Sequence, residues 1–292
     1  MFELNGKVAI VTGCNTGLGQ GMALALAQAG CDIVGINVVP ASETATALER
    51  MGRRFHDIAA DLRTAAAEAL VARATAAFGH IDILVNNAGI IRRADALEFT
   101  EQDWDDVIAV NLKAVFFLSQ AAARQFIRQK TAGRIVNIAS LLSFQGGIRV
   151  PSYTAAKSGV LGLTRLLANE WAQYGITVNA IAPGYMATNN TAPLRADPAR
   201  SKEILGRIPL GRWGLPADLG GPVVFLGLGR RVLRHRPRAR RRRRLARTLS
   251  HQAGDPGAES IFTLTGNAKR SLQRQTVIAS SHRPPPAGGN SQ

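Results

Sequence analysis

Apolar runs of strand length alternate with segments of helical period from Lys7 to about Phe225. The run "KVAIVT" (7–12) has no polar alternation, as expected of a strand buried on both faces. It is followed by "GLGQGMALALAQAG" (17–30), whose small residues suit a helix packed closely on its neighbours. The pattern then repeats: "CDIVGIN" (31–37) as a strand, a helix over 42–54 and "RFHDIAAD" (54–61) as a strand. A helix over 64–78 leads to the strand "IDILVNNAG" (81–89). Helices over 101–112 and 113–130 lead to "GRIVNIAS" (133–140), and a long helix over 152–174 to "GITVNAIAP" (175–183). Helical patterns near 189–206 and 216–226 close the series.

This alternation predicts an α/β fold: one domain over residues 1–226, with a doubly wound parallel sheet and helices on both faces. Right-handed crossovers between parallel strands put the helices there. Beyond Leu226 neither a period of 3.6 nor one of 2 is sustained. Residues 227–292 are expected to form a disordered basic tail, with the last strand missing or replaced by it.

The 292 residues carry a formal net charge of +16, which alone would point to nucleic acid or an anionic surface. Its distribution removes that reading from the domain. Residues 1–227 have a net charge of +3, and residues 228–292 one of +13. The stretch Arg236–Arg247 holds eight arginines but no aromatic side chain to stack on bases, so no specific nucleic-acid partner is expected. Cys14 and Cys31 have no metal-like spacing and read as reduced thiols of a cytoplasmic protein; no metal is expected. The first residues lack a signal-peptide pattern, and no uninterrupted apolar stretch reaches membrane-spanning length, so no membrane partner is expected.

The motif "VTGCNTGLG" places Gly13, Gly17 and Gly19 between the first strand and its helix, with Asn15, Thr16 and Leu18 in the same turn. Such a turn lets the pyrophosphate of a dinucleotide approach the helix N-terminus. The spacing is G-x-x-x-G-x-G, and a lone glycine motif is equally a tight turn. Its position after an N-terminal strand favours the cofactor. Asp61 and Leu62 end the third strand, where an adenine ring would be contacted. Asn86, Asn87, Ala88 and Gly89 end the fourth, at the carboxyl edge where open α/β sheets bind ligands. A ribose 2′-phosphate calls for Lys or Arg in the glycine turn or just after the second strand, and Asn15, Thr16 and Asn37 stand there instead. The acid that commonly selects NAD is also missing, leaving the Asn37 amide for the ribose hydroxyls. NAD is the expected cofactor.

Tyr153 and Lys157 lie four apart on a helix, hence on one face. Ser140 ends the preceding strand and Asn111 lies in "VIAVNLKAV". A phenol titrates at about 10, so acting near neutrality takes a downward shift of roughly three units, about 4 kcal/mol. The Lys157 ammonium and a nicotinamide's positive charge are expected to supply much of it. Tyr153 then takes the alcohol proton, Ser140 bonds the reacting oxygen, and Asn111 holds a water linking Lys157 to solvent. Taken singly, Y-x-x-x-K on a helix is an ordinary surface pair. The four elements in this order on such a sheet are not.

With Thr12, Gly13, Gly17 and Gly19, the "NNAG" of 86–89, Asn111, Ser140, Tyr153, Lys157, Pro183, Gly184 and Thr188, the chain resembles the short-chain dehydrogenase/reductase family. The resemblance covers about residues 3–226. It implies a single Rossmann-like sheet, with the loop of Pro183, Gly184 and Thr188 against the nicotinamide end. Segments such as "SFQGGIRVPSYTAAKSGV" and "NAIAPGYMATNNT" are similar to family members acting on deoxy sugar acids. They imply NAD-linked interconversion of a hydroxyl and a ketone by a homotetramer, the alternative being another sugar acid or a polyol. A substrate carboxylate needs a cation, for which Arg92, Arg93 and Arg149 are candidates; each is equally a solvated loop arginine. Gln145 and Tyr185 are candidates for the sugar hydroxyls.

Members of the family end with a helix, a last strand and a segment like "VDGGW", none of which follows Leu226. Residues 227–249, "GLGRRVLRHRPRARRRRRLARTL", can be back-translated with GC-rich codons. Deleting one G at codon 227 then reads "ASAAASYVTGHALAVDGGWLAR" and a stop. The tail is therefore expected to be out-of-frame translation.

Overall fold

The computed structural model describes residues 2–228, 262–265 and 274–279. β1 (Val8–Thr12), buried at every position, leads through the glycine turn to α1 (Gly17–Gln28), β2 (Asp32–Asn37), α2 (Ser42–Arg50) and β3 (Phe55–Ala59). α3 (Ala67–Phe78) stops at Gly79, whose φ of 83° is open to a residue without Cβ, and β4 (Ile83–Asn86) follows. Next come α4 (Glu101–Ile108), α5 (Ala114–Arg128), β5 (Arg134–Ile138), a short α6 (Leu142–Gln145), α7 (Pro151–Trp171) and β6 (Thr177–Ala182). α8 (Ala192–Ala196), α9 (Pro198–Leu205) and α10 (Gly220–Gly227) complete this part of the chain.

The first six strands run parallel in the order β3-β2-β1-β4-β5-β6. Winding changes direction between β1 and β4, and the crevice at their carboxyl ends is where such sheets take ligands. Two apolar cores cover the two faces. Met22, Leu26, Leu48, Val223 and Leu226 of α1, α2 and α10 pack on one. Leu70, Leu118, Phe126 and Leu167 of α3, α5 and α7 pack on the other.

The expected helices at 101–112 and 113–130 form one continuous run joined by a π turn, Ala109–Lys113. This run, Glu101–Arg128, is long and apolar enough to cross a membrane by length and composition, but more than half of its apolar window is buried in the fold. The pattern at 189–206 breaks in two because Asp197 caps a new helix that starts with Pro198.

Beyond Leu228 the backbone of β7 (Phe262–Thr265) and β8 (Arg274–Ala279) is described. β8 pairs parallel to β6, with Ala180 opposite Val277, and β7 pairs antiparallel to β8. Two segments of the tail expected to be disordered are thus strands, at the edge where the last strand was expected to be missing or replaced by that tail. An open edge presents unpaired N–H and C=O groups that an extended segment can satisfy. The arginine run at 236–247 lies outside the described residues.

Candidate functional site

A cleft of about 500 Å³ opens at the carboxyl ends of β1, β2 and β4. The glycine turn forms its floor. Gly13 and Gly17 have φ of 66° and 59°, a region that side chains rarely enter. A Cβ on Gly19 would lie 2.0 Å from Gly13 O and 2.5 Å from Asn87 Nδ2, so α1 can approach the turn only as glycine. Asn87 Nδ2 donates to the carbonyls of Thr12 (2.9 Å) and Gly13 (3.1 Å), and Thr12 Oγ1 accepts from the N–H groups of Asn87 and Ala88. Asn15, Thr16, Gly17, Leu18, Asn87, Ala88 and Gly89 all line the cleft. Thr188 closes over the turn, its Cγ2 3.6 Å from where a Gly17 Cβ would stand. This cradle fits the pyrophosphate of a dinucleotide.

Asn86, beside Asn87 in sequence, faces the other way. Its Nδ2 donates to Ser119 Oγ (2.9 Å) and Asn137 Oδ1 (2.8 Å) inside the fold. It ties β4 to α5 and β5 and does not line the cleft.

At the far end, Asp61 and Leu62 line the wall as expected. Both Asp61 carboxylate oxygens are gripped by the Arg63 guanidinium, which holds the carboxyl below its usual range. Asn37 also lines the cleft, but the expectation that its amide serves a ribose is corrected. Its Oδ1 accepts from Cys14 N (2.7 Å) and its Nδ2 donates to Asp57 Oδ1 (2.7 Å). The sequence reading also missed Arg63, a cation of the cleft wall. That guanidinium is already shared between Asp61 and Asp106.

Near the other end, Tyr153 and Lys157 of α7 line the cleft. Ser140 acts on the Tyr153 hydroxyl, favouring its ionised form, and Ser140 Oγ accepts from Leu142 N at 3.1 Å. Lys157 Nζ donates to Ile138 O at 2.6 Å and lies 5.7 Å from the centre of the Tyr153 ring. Burial pulls the Lys157 ammonium down to about 8. Burial also pushes the Tyr153 phenol up, against the downward pull of Ser140 and of the Arg93 charge. The ammonium is turned to a carbonyl and is itself losing charge to burial.

Asn111 is fully buried in the π turn. Its Oδ1 accepts from Ile90 N and its Nδ2 donates to Ile90 O, both at 2.9 Å. The side chain thus pins Gly89–Ile90. It stands close to Lys157: a Cβ on Gly89 would be 3.2 Å from Asn111 Oδ1 and 3.7 Å from Lys157 Nζ. Pro183 O accepts from Leu141 N at 3.0 Å, joining the loop that carries Gly184 to the one that carries Ser140.

The three candidate arginines differ in their partners. Arg92 pairs with Asp103 and Asp106, and Arg149 pairs with Asp95. Arg93 has no carboxylate partner among the described residues and donates to Asn190 O at 3.0 Å. Gln145 is exposed at the end of α6. Tyr185 packs edge-on against Trp213, ring centres 5.7 Å apart.

A parallel sheet with this strand order, a glycine cradle and a half-buried Tyr over a buried Lys define a dinucleotide-dependent oxidoreductase. Residues 7–199 match the family model described as short chain dehydrogenase. The chain belongs to that family and is an oxidoreductase acting on CH–OH donors.

It is 70% identical over 226 residues to 2-dehydro-3-deoxy-D-gluconate 5-dehydrogenase of Escherichia coli K12, covering 77% of this chain and 89% of that protein. It is 53% identical over 228 residues to the protein of the same name in Bacillus subtilis 168, with the same two coverages. A solved structure from Agrobacterium tumefaciens, described as a 2-deoxy-D-gluconate 3-dehydrogenase with bound NADP, matches with a TM-score of 0.73 and 56% identity, covering 77% of this chain and 90% of its own.

Proposed function

We propose that the protein interconverts 2-dehydro-3-deoxy-D-gluconate and 3-deoxy-D-glycero-2,5-hexodiulosonate with NAD(H), in the cytoplasm, as a step of uronate and pectin breakdown. The observation that carries the chemistry is Tyr153 lining the cleft with the buried Lys157 ammonium 5.7 Å from its ring centre. The substrate follows from the 70% identity to the Escherichia coli enzyme. The bound cofactor supplies the hydride acceptor for the oxidised carbon. In oxidation Tyr153, as its phenolate, would take the hydroxyl proton and become the phenol; in reduction the phenol would give the proton to the carbonyl oxygen. Ser140 donates to the same oxygen and holds it against Tyr153. Lys157 lends positive charge to the developing phenolate once the cofactor's own charge is in place, and Asn111 keeps the Gly89–Ile90 backbone against it.

Arg93 takes the substrate carboxylate, because its guanidinium lacks a carboxylate of its own while Arg92 and Arg149 are paired. NAD is preferred because Asn15, Thr16 and Asn37 offer no cation and Arg63 is already held by two acids. NADP bound in the Agrobacterium relative makes it the competing cofactor. Gluconate is the competing substrate, since the chain is 39% identical over 230 residues to gluconate 5-dehydrogenase of Gluconobacter oxydans. Assays of NADH and NADPH formation with both sugar acids decide between these readings. Turnover with gluconate alone would overturn the substrate assignment.

We further propose that the domain ends near Leu226, that residues 227–292 are translated out of frame, and that the in-frame protein is a homotetramer. The support is the reading "ASAAASYVTGHALAVDGGWLAR" one base away, which restores the family's ending. Sequencing the DNA around codon 227 tests it directly.

A further inference from the structure

A carboxylate sits on β3, one strand away from the cleft wall at the end of β2. Asp57 Oδ1 accepts from Asn37 Nδ2 at 2.7 Å, and Asp57 Oδ2 accepts from Ala41 N at 2.8 Å. Asn37 in turn accepts from Cys14 N at 2.7 Å, so one carboxylate organises both the glycine turn and the loop after β2. The arrangement is built on a missing side chain. Gly35 stands opposite Asp57 in the β2–β3 register, and a Cβ there would lie 2.7 Å from Asn37 Nδ2 and 2.8 Å from Cys14 Sγ. Without that Cβ, the Asn37 amide fits between the two strands.

No cation pairs with Asp57 among the described residues. Its charge is met by two N–H donors and no cation, and one of those donors, the Asn37 amide, belongs to a residue that lines the cleft with Val38 and Val39. The Arg63 guanidinium of the cleft wall is already bound by Asp61 and Asp106.

We propose that Asp57 is a specificity-determining residue whose carboxylate, held behind Asn37, disfavours a phosphate on the 2′-hydroxyl of the adenosine ribose. This rests on the reading that the cleft holds a nicotinamide dinucleotide with its adenosine end at Val38 and Asp61. The ribose hydroxyls of NAD carry no charge and are indifferent to Asp57, whereas the dianionic 2′-phosphate is repelled. An acid on β3 thus performs the selection that an acid at the end of β2 performs by direct contact.

The test is the ratio of NADPH to NADH dissociation constants, read by dinucleotide fluorescence on the 292-residue protein. Asp57→Asn should lower that ratio about tenfold, the size expected of one charge at short range in a partly screened site. The change should come from tighter NADPH binding, and Asp57→Glu should keep the wild-type ratio. A ratio unchanged in Asp57→Asn, or equal weakening of both dinucleotides, would overturn the proposal and leave Asp57 a loop-shaping residue.

If Asp57→Asn does not fold, the wild-type protein decides. Repulsion is screened by salt, so the ratio should fall as ionic strength rises; a flat or rising ratio would overturn the proposal. Failure of the wild type to bind either dinucleotide would instead overturn the cleft reading, and this proposal with it.

Discussion

The Lys157 ammonium lies 5.7 Å from the centre of the Tyr153 ring and is anchored to Ile138 O at 2.6 Å. The two residues share one face of α7, yet the lysine reaches past the tyrosine to the end of β5. Lys157 is thus buried at the base of the cleft that Tyr153 also lines.

Tyr153→Phe keeps the ring and removes the proton. We expect kcat to fall by at least about a hundredfold, the range typical of a lost general acid or base. NADH affinity should stay within a few-fold of wild type. Steady-state rates and fluorescence titration measure both, and near-normal turnover would remove Tyr153 from the chemistry.

Lys157 should weaken the fold below its own titration. Burial lowers it from 10.5 to about 8, so the folded state releases a proton that the unfolded chain still holds. Stability therefore rises with pH between those two values, and below about 8 the full penalty applies. A shift of this size is worth about 3 kcal/mol. Lys157→Met should be inactive but melt higher than wild type at neutral pH, with the advantage shrinking towards pH 10.5. Thermal melts across that range check it; an advantage independent of pH would mean that charge burial is not the cause.

A cation for a 2′-phosphate belongs at position 38. Asn37 is 3% exposed and bonded on both sides, so an arginine there would break the Cys14–Asn37–Asp57 chain. Val38 is 70% exposed and lines the cleft. Val38→Arg should raise kcat/KM for NADP while Asn37→Arg lowers thermal stability. Parallel kinetics and melts separate the two.

Arg93→Ala should raise KM for the sugar acid by about tenfold or more, as loss of a charge-assisted hydrogen bond does. Arg92→Ala and Arg149→Ala should change KM less, since those guanidinium groups already have carboxylates. Equal effects at all three positions would argue for a general field of positive charge.

Deleting one base at codon 227 should give a shorter chain ending near "VDGGWLAR". It should melt cooperatively at a higher temperature, elute as a closed oligomer and turn over faster than the 292-residue chain. The restored strand would bury apolar surface at roughly 25 cal/mol per Å². Equal stability, mass and activity in the two chains would make the tail a genuine part of the protein.

The sequence by itself determined the elements and their order. Strand alternation, the glycine turn and the Tyr153–Lys157 spacing are local features, set by backbone sterics and helical period within a few residues. That alternation and the handedness of crossovers gave a doubly wound parallel sheet, while the strand order β3-β2-β1-β4-β5-β6 came only with the tertiary structure. What the tertiary structure decided was which polar groups were already spoken for. Asn37 looked free for a ribose until Cys14 and Asp57, each 20 or more positions away, took its amide. Asn86 and Asn87 are adjacent in sequence but point to opposite faces of the sheet, so one is structural and the other holds the cradle. Arg92 and Arg93 look alike in sequence; one reaches the acids of α4 and the other the carbonyl of Asn190, 97 positions away. Hydrogen bonds and charges pair through space at a few ångströms, and a pattern read along the chain carries no record of those partners.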